Sequence, residues 1–156
     1  MAVVDASVVF EWVAPDIDPD GPAGGLRSAW ARSGERLVGP RLLLEEVSNA
    51  LLTGVRRGRW DGAAADTSYE LLTSLPVDLL DDRRDLDRAW ELSRRYDEHP
   101  VYDLVYVALA ERLGLQLVTL DDALRRRLTG VRSIVGPAEL QRPSGQGGAR
   151  TRVGVA

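Results

Sequence analysis

The 156-residue sequence contains no cysteine and one histidine, His99. The first absence excludes disulfides, zinc–thiolate sites and thiol nucleophiles. The second excludes a histidine-rich metal site and argues against a Ser-His-Asp hydrolase. His99 itself is expected in a loop, apart from the chemistry. Lysine is also missing: all 20 bases are arginine, a bias that a GC-rich genome produces unaided. No apolar run approaches the ~18 residues of a membrane span. The opening MAVVDASVVF has no basic n-region, so a cytoplasmic protein without membrane contact is expected.

What is present suits one folded domain. Hydrophobic residues make up 44% and charged residues 28%, enough for a core at this length. The charge is uneven. The first 20 residues hold five acids and no base, while the last 16 hold Arg142, Arg150 and Arg152 and no acid. Residues 1–140 therefore carry 17 bases against 24 acids, a net of −7. Such a balance does not steer nucleic acid through a global field. RNA binding would need local arginine patches, bound cations, or both. The segment after Leu140, QRPSGQGGARTRVGVA, is Gly-rich and patternless. The sequence thus divides into a domain at 1–140 and a tail at 141–156 expected to be disordered.

Short apolar runs alternate with helical periodicities. Strands are expected at 3–4, 36–38, 77–80, 115–119 and 131–135. Helices are expected at 7–14, 22–32, 41–57, 61–74, 85–96, 101–113 and 122–128. The helix RLLLEEVSNALLTGVRR places Leu43, Val47, Ala50, Leu51 and Gly54 on one stripe. The helix beginning at Asp85 is expected to turn Leu86, Ala89, Trp90 and Ser93 inward. Alternation of this kind predicts an α/β fold around a parallel sheet with right-handed crossovers. Ligands of such sheets sit beyond the carboxyl ends of the strands.

Four acids need explaining. Asp5 follows the first strand and Asp121 the fourth, where either could be a helix N-cap or a site residue. Glu46 flanks the apolar stripe of its helix, whereas Glu45 points about 100° away; a solvated face accounts for Glu46 equally well. Asp103 lies in the first turn of the most apolar helix, VYDLVYVALAERLG, where it suits the helix dipole or a paired site. If the four converge, they repel one another, and a divalent cation is the natural way to let them coexist. Carboxylates and water suit hard ions such as Mg²⁺ or Mn²⁺, which commonly act with phosphate substrates.

Three segments, VVDASVV, LLLEEVSNAL and YDLVYVALAERLGLQLVTLDDAL, resemble in order and separation the signature blocks of PIN-domain ribonucleases. More narrowly they resemble the VapC toxins of bacterial toxin–antitoxin pairs, over residues 2–140. The resemblance implies a PIN-like sheet of about five strands between helices and metal-dependent endonucleolytic cleavage of RNA. It maps the catalytic acids onto Asp5, Glu46, Asp103 and Asp121, with Asp5, Asp103 and Asp121 as ligands of Mg²⁺ or Mn²⁺. Glu45 and Asp122 are adjacent candidates. Ser7, Asn49, Thr119 and Asp122 fall at supporting positions. The implied partners are an RNA substrate, a VapB-like antitoxin and a second copy, giving a homodimer and a heterotetramer or larger complex.

Two arginine groups, Arg56–Arg57–Arg59 and Arg125–Arg126–Arg127, are candidates for gripping the RNA backbone; solvated helix ends are the plainer account. Trp12, Trp30, Trp60 and Trp90 are expected mostly in core or dimer packing rather than stacked on bases. A phosphatase-like enzyme with Asp5 as nucleophile would want a second acid two residues on, where this sequence has Ser7. A non-catalytic binding protein would keep the fold and lack metal-dependent RNA cleavage. A PIN nuclease outside any toxin pair would keep the cleavage and lack the antitoxin.

Overall fold

The computed structural model describes residues 1–140, so the expected disorder of 141–156 lies outside the described residues. The first strand, β1 (Ala2–Val4), is buried along its whole length and leads into α1 (Ala6–Val13). After α2 (Pro22–Ser33), the chain forms β2 (Leu37–Pro40), α3 (Leu42–Arg56), α4 (Gly62–Ser74) and β3 (Val77–Leu80). It continues through α5 (Arg83–Arg95), α6 (Val101–Leu113), β4 (Leu117–Val118), α7 (Asp122–Arg127), β5 (Ile134–Val135) and α8 (Pro137–Leu140). The last two strands are shorter than their apolar runs suggest, and α8 has no counterpart among the helices expected from the sequence.

The five strands form one all-parallel sheet in the order β3-β2-β1-β4-β5. The chain builds outward from β1 to β3, then returns to the other side of β1 for β4. With right-handed crossovers, that reversal sends α1–α4 to one face and α5–α7 to the other. The strand order therefore changes direction between β1 and β4, where a crevice opens at their carboxyl ends. Asp5 and Asp121 stand at that crevice.

Local chemistry sets the helix limits. Asp5, Asp61, Asp82 and Asp121 each cap a helix N-terminus with a side-chain oxygen, satisfying amide groups that have no partner within the helix. Gly114 ends α6 at φ 65°, a left-handed conformation that costs glycine little. Gly54 serves packing instead: a Cβ there would lie 2.0 Å from the Trp60 ring, which seats itself by donating to the Leu51 carbonyl.

The α5 face differs from expectation. Ala89 and Ser93 point inward, but Leu86 and Trp90 are 53% and 64% exposed. The inward stripe is Asp85, Ala89, Leu92 and Ser93. Asp85 can occupy it because the Arg112 guanidinium, from α6, donates to both its oxygens at 2.6 and 2.8 Å. A charge with a complete partner displaced two large apolar side chains from the stripe.

Candidate active site

Asp5 is fixed by its own turn and by the neighbouring strand end. Its backbone N–H donates to the Val118 carbonyl. Ser7 Oγ and Thr119 Oγ1 both donate to Asp5 Oδ2, at 2.5 and 2.7 Å. The Ser7 hydroxyl also accepts from Leu120 N, and Thr119 Oγ1 accepts from Asp121 N. Two hydroxyls thus lock the β1 and β4 ends together and set the separation between Asp5 and Asp121. Asp121 uses Oδ1 to cap α7 through Ala123 N and Leu124 N. Cap and site are not exclusive alternatives: capping holds one oxygen of each aspartate.

Glu46, not Glu45, turns toward this crevice. Glu45 is exposed and paired with Arg41. Glu46 Oε2 accepts a short hydrogen bond from the Tyr106 hydroxyl of α6. Asp103, one helical turn before Tyr106, places Oδ2 2.9 Å from His99 Nε2. In all four acids the side-chain and capping partners converge on a single oxygen.

The acids sense one another. Burial raises the Asp5 carboxyl above the usual carboxylate range, against the hydrogen bonds from Ser7 and Thr119. Burial also pushes Glu46 up to about 7, reinforced by the charges of Asp5 and Asp103 and opposed by the Tyr106 hydrogen bond. Asp103 is raised by burial and by Asp5 and Asp121, against the pull of His99. Tyr106 is pushed far above the ordinary phenol value by burial and by its bond to Glu46, so its hydroxyl is a donor at any working pH. Asp103 thus feels both Asp5 and Asp121, and Glu46 feels Asp5 and Asp103, which links the four acids into one electrostatic cluster.

The cluster is not a ready-made cage. Among the described residues, no group of three acidic or imidazole side chains stands close enough to hold one ion as it is. The donor set still fits a hard cation, because Mg²⁺ keeps several waters and uses one or two carboxylates. A shallow groove of about 300 Å³, lined in part by Ala6, Ser7, Phe10, Glu11 and Glu46, runs beside the cluster. A larger cavity, about 420 Å³, lies elsewhere, between Trp12, Trp30, Leu37 and Val77, and contains none of the four acids.

The remaining candidates scatter. Asp122 is exposed and paired with Arg125, which also binds Glu139 of α8. Asn49 is exposed on α3 and its side chain makes no hydrogen bond among the described residues. Arg59 pairs with Asp16 and lies over the Trp60 ring, and Arg56 donates to Thr53. Arg57 and Arg126 meet no acid among the described residues. Sequence reasoning put His99 in the loop where it lies, but did not foresee that Tyr106 and His99 would meet Glu46 and Asp103. Both had a signal: they lie three residues after and four before Asp103, the spacings at which helical neighbours meet.

A family model described as the PIN domain matches residues 2–127. The chain belongs to the PIN domain family. Its fold is that of several solved structures. PAE2754 from Pyrobaculum aerophilum aligns over 89% of this chain and 90% of its own, at 27% identity and a TM-score of 0.66. A toxin–antitoxin complex from Klebsiella pneumoniae aligns over 88% and 98%, at 16% identity and 0.60. The Sarcin-Ricin loop cleaving toxin VapC20 of Mycobacterium tuberculosis aligns over 74% and 85%, at 20% identity and 0.51. The latter two likenesses concern the fold alone. No curated protein matches the sequence.

Proposed function

We propose that this PIN domain is a metal-dependent endoribonuclease and the toxin of a toxin–antitoxin pair. One observation carries the nuclease reading: carboxylates gather at the β1–β4 crevice, where Asp5 and Asp103 act on Glu46 and Asp5 and Asp121 act on Asp103, and among the described residues none of the four pairs with an arginine. The second oxygens of Asp5, Asp103 and Asp121 are then ligands for Mg²⁺ or Mn²⁺. When bound, such an ion lowers the pKa of a coordinated water and steadies charge on the phosphate.

The protein groups do the rest. Ser7 and Thr119 keep Asp5 oriented. Glu46, titrating at about 7, is suited to take a proton from the attacking water near neutrality. Tyr106 holds Glu46 in place and stays protonated. Cleavage would leave 5′-phosphate and 3′-hydroxyl ends, as the family resemblance implies. Positive charge at the site also offsets the −7 of residues 1–140, which would otherwise repel RNA.

The toxin reading rests on the resemblance of the three sequence blocks and on a fold shared with a toxin–antitoxin complex and a VapC toxin. It implies a VapB-like antitoxin over the crevice and action in the cytoplasm. No helix among the described residues is long and apolar enough to cross a membrane. A second copy would cover the exposed Leu86, Trp90 and Tyr102 on α5 and α6. The test is cellular RNA incubated with the wild type and with Asp5→Asn in Mg²⁺, with the cut ends mapped. Metal-dependent cuts by the wild type alone are expected; equal cutting by both removes the reading.

A further inference from the structure

His99 is the only histidine, and the cleavage chemistry proposed for the crevice does not use it. It is 9% exposed and anchored from four sides. Its backbone N–H donates to the Tyr96 carbonyl, and its own carbonyl accepts from Ser93 Oγ at 2.7 Å. Its Nδ1 lies 3.2 Å from Arg127 Nη1 of α7, and its Nε2 lies 2.9 Å from Asp103 Oδ2. The two residues before it, Asp97 and Glu98, adopt φ of 55° and 52°. Left-handed backbone at consecutive non-glycine residues is costly and persists where surrounding contacts enforce it.

The arginine fixes the tautomer. A guanidinium only donates, so Nδ1 accepts from Arg127 and the ring proton sits on Nε2, beside Asp103. The Nε2–H is close to Oδ2 but poorly aligned with it, and among the described residues no other acceptor meets this buried nitrogen. A small rotation of the Asp103 carboxylate would straighten the bond and turn its other oxygen away from the histidine.

We propose that His99, set by Arg127, is a positioning residue that holds one oxygen of Asp103 so that the other is presented to a divalent cation. The inference rests on the metal-site reading of the carboxylate cluster. Partners of this kind, which orient a ligating side chain, typically change metal affinity about 10–100-fold when removed.

The test measures Mn²⁺ binding to the full chain by calorimetry, with circular dichroism to confirm folding. His99→Leu is expected to weaken Mn²⁺ about 10–100-fold, and His99→Gln, which keeps an N–H at similar reach, by no more than about threefold. In an Asp103→Asn background, His99→Leu should cost nothing further, because the two act through one contact. Unchanged affinity in His99→Leu, an equal loss in His99→Gln, or additive losses in the double variant would each overturn the proposal. Should His99→Leu fail to fold, Arg127→Leu decides: a loss of about threefold or more supports the proposal, and wild-type affinity overturns it. A wild type that binds no Mn²⁺ would remove the metal-site reading itself and the role of His99 with it.

Discussion

Two groups of acids in this protein are handled in opposite ways. At the outer edge of α5 and α6, Asp82 and Asp85 are matched by arginines. Arg84 holds the Asp82 carboxyl far below the usual carboxylate range, and Arg112 grips the buried Asp85 with two hydrogen bonds. At the β1–β4 crevice, Asp5, Glu46 and Asp103 are raised, and their partners are hydroxyls, a phenol and an imidazole. Arginine neutralises a carboxylate and ends its availability; a hydroxyl or imidazole orients it and leaves the charge to seek another partner. Among the described residues no arginine pairs with a crevice acid, which sets these carboxylates apart from Asp82 and Asp85.

The largest effect should come from removing one crevice carboxylate. Asp5→Asn is expected to lower Mg²⁺-dependent RNA cleavage about 1,000-fold, roughly 4 kcal/mol of transition-state stabilisation. It should leave the fold intact, because an amide oxygen still accepts from Ser7 and Thr119. Added Mg²⁺ should raise the melting temperature of the wild type but not of this variant. A variant that cleaves normally would show that Asp5 is merely a cap. The converse change, Arg112→Met, breaks the matched pair and strands Asp85, whose side chain is 5% exposed. Urea unfolding should show a loss of about 3 kcal/mol, with cleavage per folded molecule unchanged.

The two regions were not equally legible in the sequence. The crevice acids could be placed because Asp5 directly follows an apolar strand, Asp121 lies just beyond another, and Asp103 follows Pro100. Glu46 was separable from Glu45 by helical phase, and the phase proved right. The hydroxyls Ser7 and Thr119 emerged from the resemblance, but their shared grip on one oxygen of Asp5 depends on strands 114 residues apart in the chain. The α5 face was misread because periodicity rewards Leu86 and Trp90 and cannot foresee that Arg112 will make a buried Asp85 tolerable. The fates of the arginines were equally hidden, since pairs such as Arg59 with Asp16 are contacts made by the fold.

A subtler test of the contrast uses pH. Glu46 has a folded pKa of about 7 against an ordinary 4.5, so the native state binds its proton more tightly than the unfolded state does. Stability from this group is therefore full below about pH 4.5 and is lost as pH rises through about 7. The full shift overstates the loss because Glu46 is half-exposed, and about 1 kcal/mol is expected. The metal-free wild type should thus show a melting temperature that falls across this window relative to Glu46→Gln. Mg²⁺ should restore it at the alkaline end. Asp82, held low, contributes nothing in this range, so Arg84→Gln should leave the slope as it is.

The smallest effects concern the arginines themselves. Those engaged in the fold are poorly placed to grip RNA: Arg125 joins Asp122 and Glu139, and Arg59 joins Asp16 and Trp60. Arg57, at the end of α3, and Arg126, on α7, remain exposed without an acidic partner among the described residues. If they contact phosphates, Arg57→Gln and Arg126→Gln should each raise KM about two- to threefold with kcat unchanged. Each should also lower the salt dependence of binding by about 0.7 in log–log slope. Arg125→Gln should act the other way, loosening the α7–α8 contact and lowering the melting temperature by a few degrees at most, since a half-exposed pair contributes about 0.5 kcal/mol. Should Arg125→Gln alter the salt slope while Arg126→Gln does not, paired arginines would be the ones that read RNA, and the division between structural and functional charges would not extend beyond the carboxylates.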